Sequence, residues 1–250
     1  PKPSSAASDV YKSQALPKVG YPTFELELPS TGKTVKYRPF LVKEEKILLL
    51  ALETQDEKEV LNAVKDLIKN CVLSRIKVDQ LPSFDLEYLF LKIRGASIGE
   101  LITLTVTCQD DNETKVEAFI NIDDVEVFKP EGHDTKIQLG DDMGIIMRYP
   151  SMQQFVDREF LQKEMKTEEV YDFIADSIDQ IFTGEEVFDK TTTSKKEFRT
   201  FVDSLTTKQF EKIQQFYVTC PKLSHTFTIT NPNTGKDSEF TIEGLQSFFA

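Results

Sequence analysis

The chain has 250 residues and carries 30 lysines and arginines against 42 aspartates and glutamates, a formal charge of −12. Such an acidic surface repels phosphate, which excludes a nucleic-acid footprint, and no run of about 18 apolar residues offers a membrane span. Three widely spaced cysteines, Cys71, Cys108 and Cys220, argue against a disulfide framework and fit a reducing compartment.

Residues 1–20 are rich in Pro, Ser and Ala and lack the apolar core of a signal peptide, so they read as a flexible arm. Order is expected from Tyr21. Phe24-Glu-Leu-Glu-Leu28 alternates as a half-buried strand, Pro29 to Lys33 turns it at Gly32, and Thr34 to Arg38 returns as the second strand of a hairpin closed by Pro39. Three helices follow. Lys43 to Glu53 contains Ile47-Leu-Leu-Leu-Ala-Leu52, apolar nearly all round, which predicts a buried helix. Thr54 and Glu57 have the spacing of a capping box. Beyond them Val60, Leu61, Val64, Leu67, Ile68 and Cys71 form one stripe, so Cys71 is expected to be a core residue. The third helix, about Asp85 to Arg94, buries Leu86, Leu89, Phe90 and Ile93 and is expected to stop at Gly95.

Strands are predicted at Leu101 to Thr107 and Lys115 to Ile122, turned at Gln109 to Asn112, and again at Thr135 to Leu139 and Gly144 to Arg148. Tyr149-Pro150 marks a boundary. Four amphipathic helices are expected after it. The clearest aligns Val170, Phe173, Ile174, Ile178, Ile181 and Phe182, and Ser194 with Glu197 and Thr206 with Gln209 cap the last two. A hairpin, His225 to Thr230 with Ser238 to Ile242, and a short turn from Gly244 to Ala250 close the chain. Helices segregated beside antiparallel hairpins make the class α+β, with two helical clusters. The organisation read from this order is an arm over 1–20, a region over 21–149 with the first hairpin, three helices and a β-region, and a helical region over 150–250 ending in a hairpin and short C-terminal helix.

Chemistry is sparsely provided. The two histidines, His133 and His225, with Cys108 and Cys220, form a metal set only if the fold gathers all four. Neither turn that could carry a zinc knuckle, Gln109 to Asn112 or Asn231 to Gly235, contains a cysteine. Acid pairs such as Asp110-Asp111 and Asp141-Asp142 read as solvated turn carboxylates, and Asp110 to Glu113 lacks EF-hand spacing. No phosphate loop or nucleophile elbow is present, and Cys220 with His225 is the single close thiol–imidazole pair. The expectation is a non-enzymatic protein with no catalytic, cofactor or metal residues and no small-molecule substrate. Its binding signal is the apolar C-terminal tip of Leu245, Phe248 and Phe249, which either folds back or anchors in a partner's groove.

Tyr21-Pro22, Leu28-Pro-Ser30, Tyr37-Arg-Pro-Phe40 and Val42-Lys-Glu-Glu-Lys46 resemble the opening of the T-even phage base plate family. The resemblance continues through Phe84 to Phe90, Arg94 with Ser97 to Glu100, Arg148 to Ser151, Cys220 to His225, and Glu243-Gly-Leu with Phe248-Phe249. It implies a baseplate hub assembly or structural protein that binds other hub or tail proteins, in the host cytoplasm during assembly and then in the virion. The alternative in the same setting is a tail-assembly chaperone absent from the mature particle, and the alternative from another class is a metal or thiol enzyme using Cys108, Cys220 and His225. Some relatives keep cysteine pairs at the two turns, and this chain departs there. Within the motifs, Arg38 is expected to pair with Glu44 or Glu45 at the start of the next helix.

Overall fold

A computed structural model of the chain describes residues 20–151 and 167–244 together with Ser247. The expectations for the N-terminal arm, for a helix directly after the Tyr149-Pro150 boundary and for the C-terminal tip of Leu245, Phe248 and Phe249 lie outside the described residues. The described residues form six α-helices and eleven strands in four small antiparallel sheets, an α+β fold. No described helix is long and apolar enough to cross a membrane.

The first hairpin pairs β1 (Phe24–Glu27) with β2 (Thr34–Tyr37), Phe24 facing Tyr37. Its turn is pinned to the third helix, because the buried Asp85 carboxylate accepts both the Ser30 N–H at 3.0 Å and the Ser30 hydroxyl. Burial pushes the Asp85 carboxyl above its usual range against the pull of those two bonds.

Helices α1 (Val42–Thr54) and α2 (Glu57–Cys71) turn back on one another through Gln55, whose backbone is left-handed. The cap of α2 differs from the expected Thr54 box. Asp56 supplies it, accepting from the Lys58 and Glu59 N–H groups, while Thr54 bonds back to the Ala51 carbonyl and takes the Asp56 N–H. With α1 running to Thr54 and Gln55 taken up by the left-handed turn, the residue directly before α2 is Asp56, whose carboxylate caps it.

Helix α3 (Ser83–Ile98) runs through Gly95 rather than stopping there, and Gly99 ends it. Gly95 is a notch: a side chain at that point would meet Ile122 at 3.5 Å, so its absence lets the next segment lie close. The helix buried on several sides is therefore α3. Leu86, Leu89, Phe90 and Ile93 join α1 and α2 in one core, while Leu91 turns into another.

That second core lies under the hairpin of β3 (Leu101–Thr107) and β4 (Lys115–Asn121), and includes Ile102, Leu104, Ile120, Val125 and Leu223. Leu223 belongs to β10 (Lys222–Thr230), which pairs with β11 (Asp237–Glu243) on one side and with the unforeseen β5 (Glu126–Phe128) on the other.

The third core packs β6 (Lys136–Gln138), β7 (Met143–Met147) and β8 (Ile178–Thr183) under α4 (Thr167–Ser177), α5 (Lys195–Asp203) and α6 (Thr207–Val218). The expected long helix over 170–182 is split. It ends at Ser177, and Ile178 to Thr183 becomes a strand between β7 and β9 (Glu186–Asp189). A β-bulge explains the misreading. Met147 faces Ile178 but Ile146 faces Gln180, so Asp179 is an extra residue, and Ile178 and Ile181 both turn inward at a three-residue spacing that imitates a helix. The Ser194–Glu197 and Thr206–Gln209 boxes both form.

Candidate partner-binding surfaces

The residues with most chemical potential are consumed by packing. His133 is buried, with Nδ1 2.8 Å from the Thr219 hydroxyl and Nε2 3.1 Å from the Tyr149 hydroxyl. Thr219 spends its proton on the Gln215 carbonyl at 2.8 Å, so it accepts from Nδ1–H, and Tyr149 donates to Nε2. Burial lowers the imidazole pKa and raises that of the Tyr149 phenol to about 12, which holds both groups neutral in this arrangement. The ring stacks on Tyr149 and Phe216, and no nitrogen is left for a ligand.

The other three members of the conceivable metal set are dispersed. His225 bonds the Asp124 carbonyl at 3.1 Å, beside β5. Cys108 sits at the far tip of the β3–β4 hairpin, and Cys220 lies in the bend between α6 and β10. Among the described residues no three His, Cys, Asp or Glu side chains converge as ligands. All three cysteines are buried and free. Desolvation pushes the Cys71 thiol up to about 11 and that of Cys220 to about 12, far from the thiolate needed for nucleophilic attack. Native protein is accordingly expected to react slowly with Ellman's reagent, and all three thiols at once after unfolding. A single fast native thiol would contradict this burial.

The two knuckle-like turns do meet, tied by polar side chains. Asn231 is fully buried and its amide donates to Asp110 and Asp111, both at 2.9 Å. Thr234 donates to Asp110, and Asn233 reaches the Thr114 hydroxyl at 2.9 Å. Asp111 also takes the Thr114 hydroxyl and the Glu113 and Thr114 N–H groups, and these bonds hold its carboxyl well below the usual range. The turn carboxylates are thus structural acceptors.

What remains unpartnered is apolar surface. On α1 only Glu44, Leu48 and Ala51 are buried, and the expectation of a buried helix is corrected. Val42 is 80% exposed and Ile47, Leu49 and Leu50 are each about half exposed. The orientation is set from beneath. Glu44 Oε1 lies 3.0 Å from Arg38 Nη2, and its second oxygen takes the Leu41 N–H at 2.7 Å, so Glu44 is the partner chosen of the two expected. With that edge held inward against α2, the dense apolar run has more apolar residues than the neighbouring helix can cover, and the surplus faces solvent.

The second surface is the outer face of the β3–β4 hairpin. Alternation sends Ile102, Leu104, Ala118 and Ile120 inward and Leu101 and Phe119 outward, each about two-thirds exposed. Phe119 faces Thr103, one diagonal step from Leu101 on the same side. The two strands form a sheet of their own, so neither outer edge is paired with another strand among the described residues. Leu101 and Phe119 were visible in the sequence as the out-facing members of alternating runs, but which face is out depends on Leu223 arriving from over a hundred residues away.

The model of a family described as T4 bacteriophage base plate protein matches residues 21–250. No curated protein and no solved structure matches the chain.

Proposed function

Because the chain belongs to the T4 bacteriophage base plate protein family, we propose that it is a baseplate hub assembly or structural protein that acts by binding other phage tail proteins while the contractile tail is built. The observation that carries this reading is the outer face of the β3–β4 hairpin. It presents Leu101 and Phe119 between open strand edges, where an incoming segment gains both main-chain hydrogen bonds and apolar burial. His133 and Asp111, which could have served catalysis, are instead hydrogen-bonded within the fold, and burial keeps the Cys220 thiol protonated. The C-terminal Leu245, Phe248 and Phe249 are proposed as a second anchor on the same partner or its neighbour.

Co-expression with the hub and tail proteins of the same phage, followed by size exclusion, tests the proposal. At least one of them is expected to co-elute in fixed ratio. Phe119→Ser with Leu101→Ser is expected to weaken that complex by about tenfold or more, as loss of a large exposed aromatic anchor does, with the melting temperature unchanged because neither side chain is in the core. Elution alone against every hub and tail protein would remove the proposal. Mass spectrometry of purified virions then separates a resident subunit from an assembly chaperone.

A further inference from the structure

We propose that α1 is the seam of a symmetric homodimer, with two copies of the helix packed antiparallel about a twofold axis passing between Leu49 and Leu50. The outward stripe of α1 is Val42, Lys46, Leu49, Leu50 and Glu53, the spacing of one helix face. Its charges are ordered, with Lys46 towards the N-terminal end and Glu53 towards the C-terminal end. The midpoint between Lys46 and Glu53 is also the midpoint between Leu49 and Leu50. Two copies crossed at that point therefore set Leu49 of one protomer against Leu50 of its partner, and Lys46 against Glu53, each contact made twice by symmetry.

Charge singles out a second copy as the occupant. A chain at −12 repels itself over most of its surface. Copies can approach only where the surface supplies its own countercharge in a self-complementary order, as Lys46 and Glu53 do here. Among the described residues neither of these side chains has a salt bridge or side-chain hydrogen bond within the chain, and both are exposed. The nearby Lys43 already leans on Glu44 at 3.4 Å within the chain. A helix of 13 residues is about 20 Å long. That seam is smaller than a standard interface, so a weak, concentration-dependent dimer is expected. The α1 seam and the β3–β4 face are separate surfaces, and the dimer does not depend on what the hairpin binds.

Sedimentation velocity on the full chain over a wide concentration range reads the result. The wild-type protein is expected to pass from monomer to dimer. Lys46→Glu and Glu53→Lys each place like charges opposite one another twice and are expected to weaken self-association by about tenfold or more. The double variant restores it, because the reversed pair is again complementary. An equimolar mixture of the two single variants forms the heterodimer, since every Lys46–Glu53 contact is then between opposite charges. Circular dichroism checks that these surface variants stay folded. A protein monomeric throughout overturns the proposal, as does a dimer indifferent to either reversal, or single variants that the double variant does not rescue. A monomer whose α1 reversals instead abolish capture of a tail protein assigns the face to that partner and overturns the homodimer. Phe119→Ser leaves self-association unchanged, which keeps failure of the tail-protein reading distinct from failure of this one.

Discussion

Glu44→Ala is expected to cost about 3–5 kcal/mol of folding stability, the usual result of stranding one member of a buried ion pair. Both side chains are shielded, at 7% and 2% exposure for Arg38 and Glu44. Arg38 would keep its bond to the Pro39 carbonyl at 2.8 Å, a contact with the Cys71 sulfur at 3.7 Å and the face of Tyr21 at 5.3 Å, none of which neutralises a cation. The Leu41 N–H would lose its acceptor as well, and Leu41 has no side chain able to replace it. Burial acts to raise the Glu44 carboxyl, but the Arg38 and Leu41 bonds outweigh it and hold the group below its usual range. Its contribution is thus complete above the ordinary glutamate pKa and lost as pH falls through the lower folded value. The difference between wild type and Glu44→Ala should shrink in that acid window. Urea denaturation measures the loss. Replacing the pair together, Arg38→Met with Glu44→Leu, should recover most of it, because two apolar groups leave no stranded charge. A single-variant loss below about 1 kcal/mol would mean that water screens the pair as at an open surface. The pair also aims α1, so Glu44→Ala should loosen the Val42–Leu49–Leu50 face before the rest of the fold.

The sequence made some of this readable and hid the rest for definable reasons. Local signals were sound where a single side chain decides. Ser194 with Glu197 and Thr206 with Gln209 cap their helices, because the chemistry of the cap is complete within four residues. Alternation located β3 and β4, and the stripe on α2 placed Cys71 in the core. The errors fall where distant contacts choose between local options. Ile178 and Ile181 carry a helical spacing, and only the bulge opposite Ile146 and Met147 turns it into a strand. Gly95 looks like a stop until Ile122 is seen to occupy the space it leaves. Apolar density on α1 suggested burial, yet density says nothing of how much neighbouring surface exists to cover it, and Leu49 and Leu50 stay half exposed. The same limit applied to the candidate surfaces. Pattern alone gave the faces, and tertiary packing decided which of them remained free. The two turns are an intermediate case. The sequence marked both as turns, but that they meet, with Asn231 as the buried hub joining Asp110 and Asp111, carries no sequence signature.

In the sheet of the third core, Gly144→Ala is expected to lose about 1–3 kcal/mol, the range for forcing one carbon into a filled site. Gly144 faces Phe182 across β7 and β8 and Gln138 across β6 and β7. The Phe182 ring lies over the glycine, and an added Cβ would strike the ring tip and come within 2.7 Å of the Ile137 carbonyl oxygen. The ring can swing aside at the expense of its contact with the Lys136 ammonium, 4.9 Å above it, but the carbonyl belongs to a paired strand and cannot. Phe182→Ala added to Gly144→Ala should therefore relieve only the part of the loss due to the ring, and the non-additive remainder measures that part. Gly140 supplies the control within the same hairpin. Nothing lies within 4 Å of where its Cβ would sit, so Gly140→Ala should stay within about 0.5 kcal/mol of wild type. Equal losses at the two glycines in thermal unfolding would overturn this account, because restricting the unfolded backbone favours alanine at both positions. A loss confined to Gly144 traces the effect to the ring and carbonyl that close over β7.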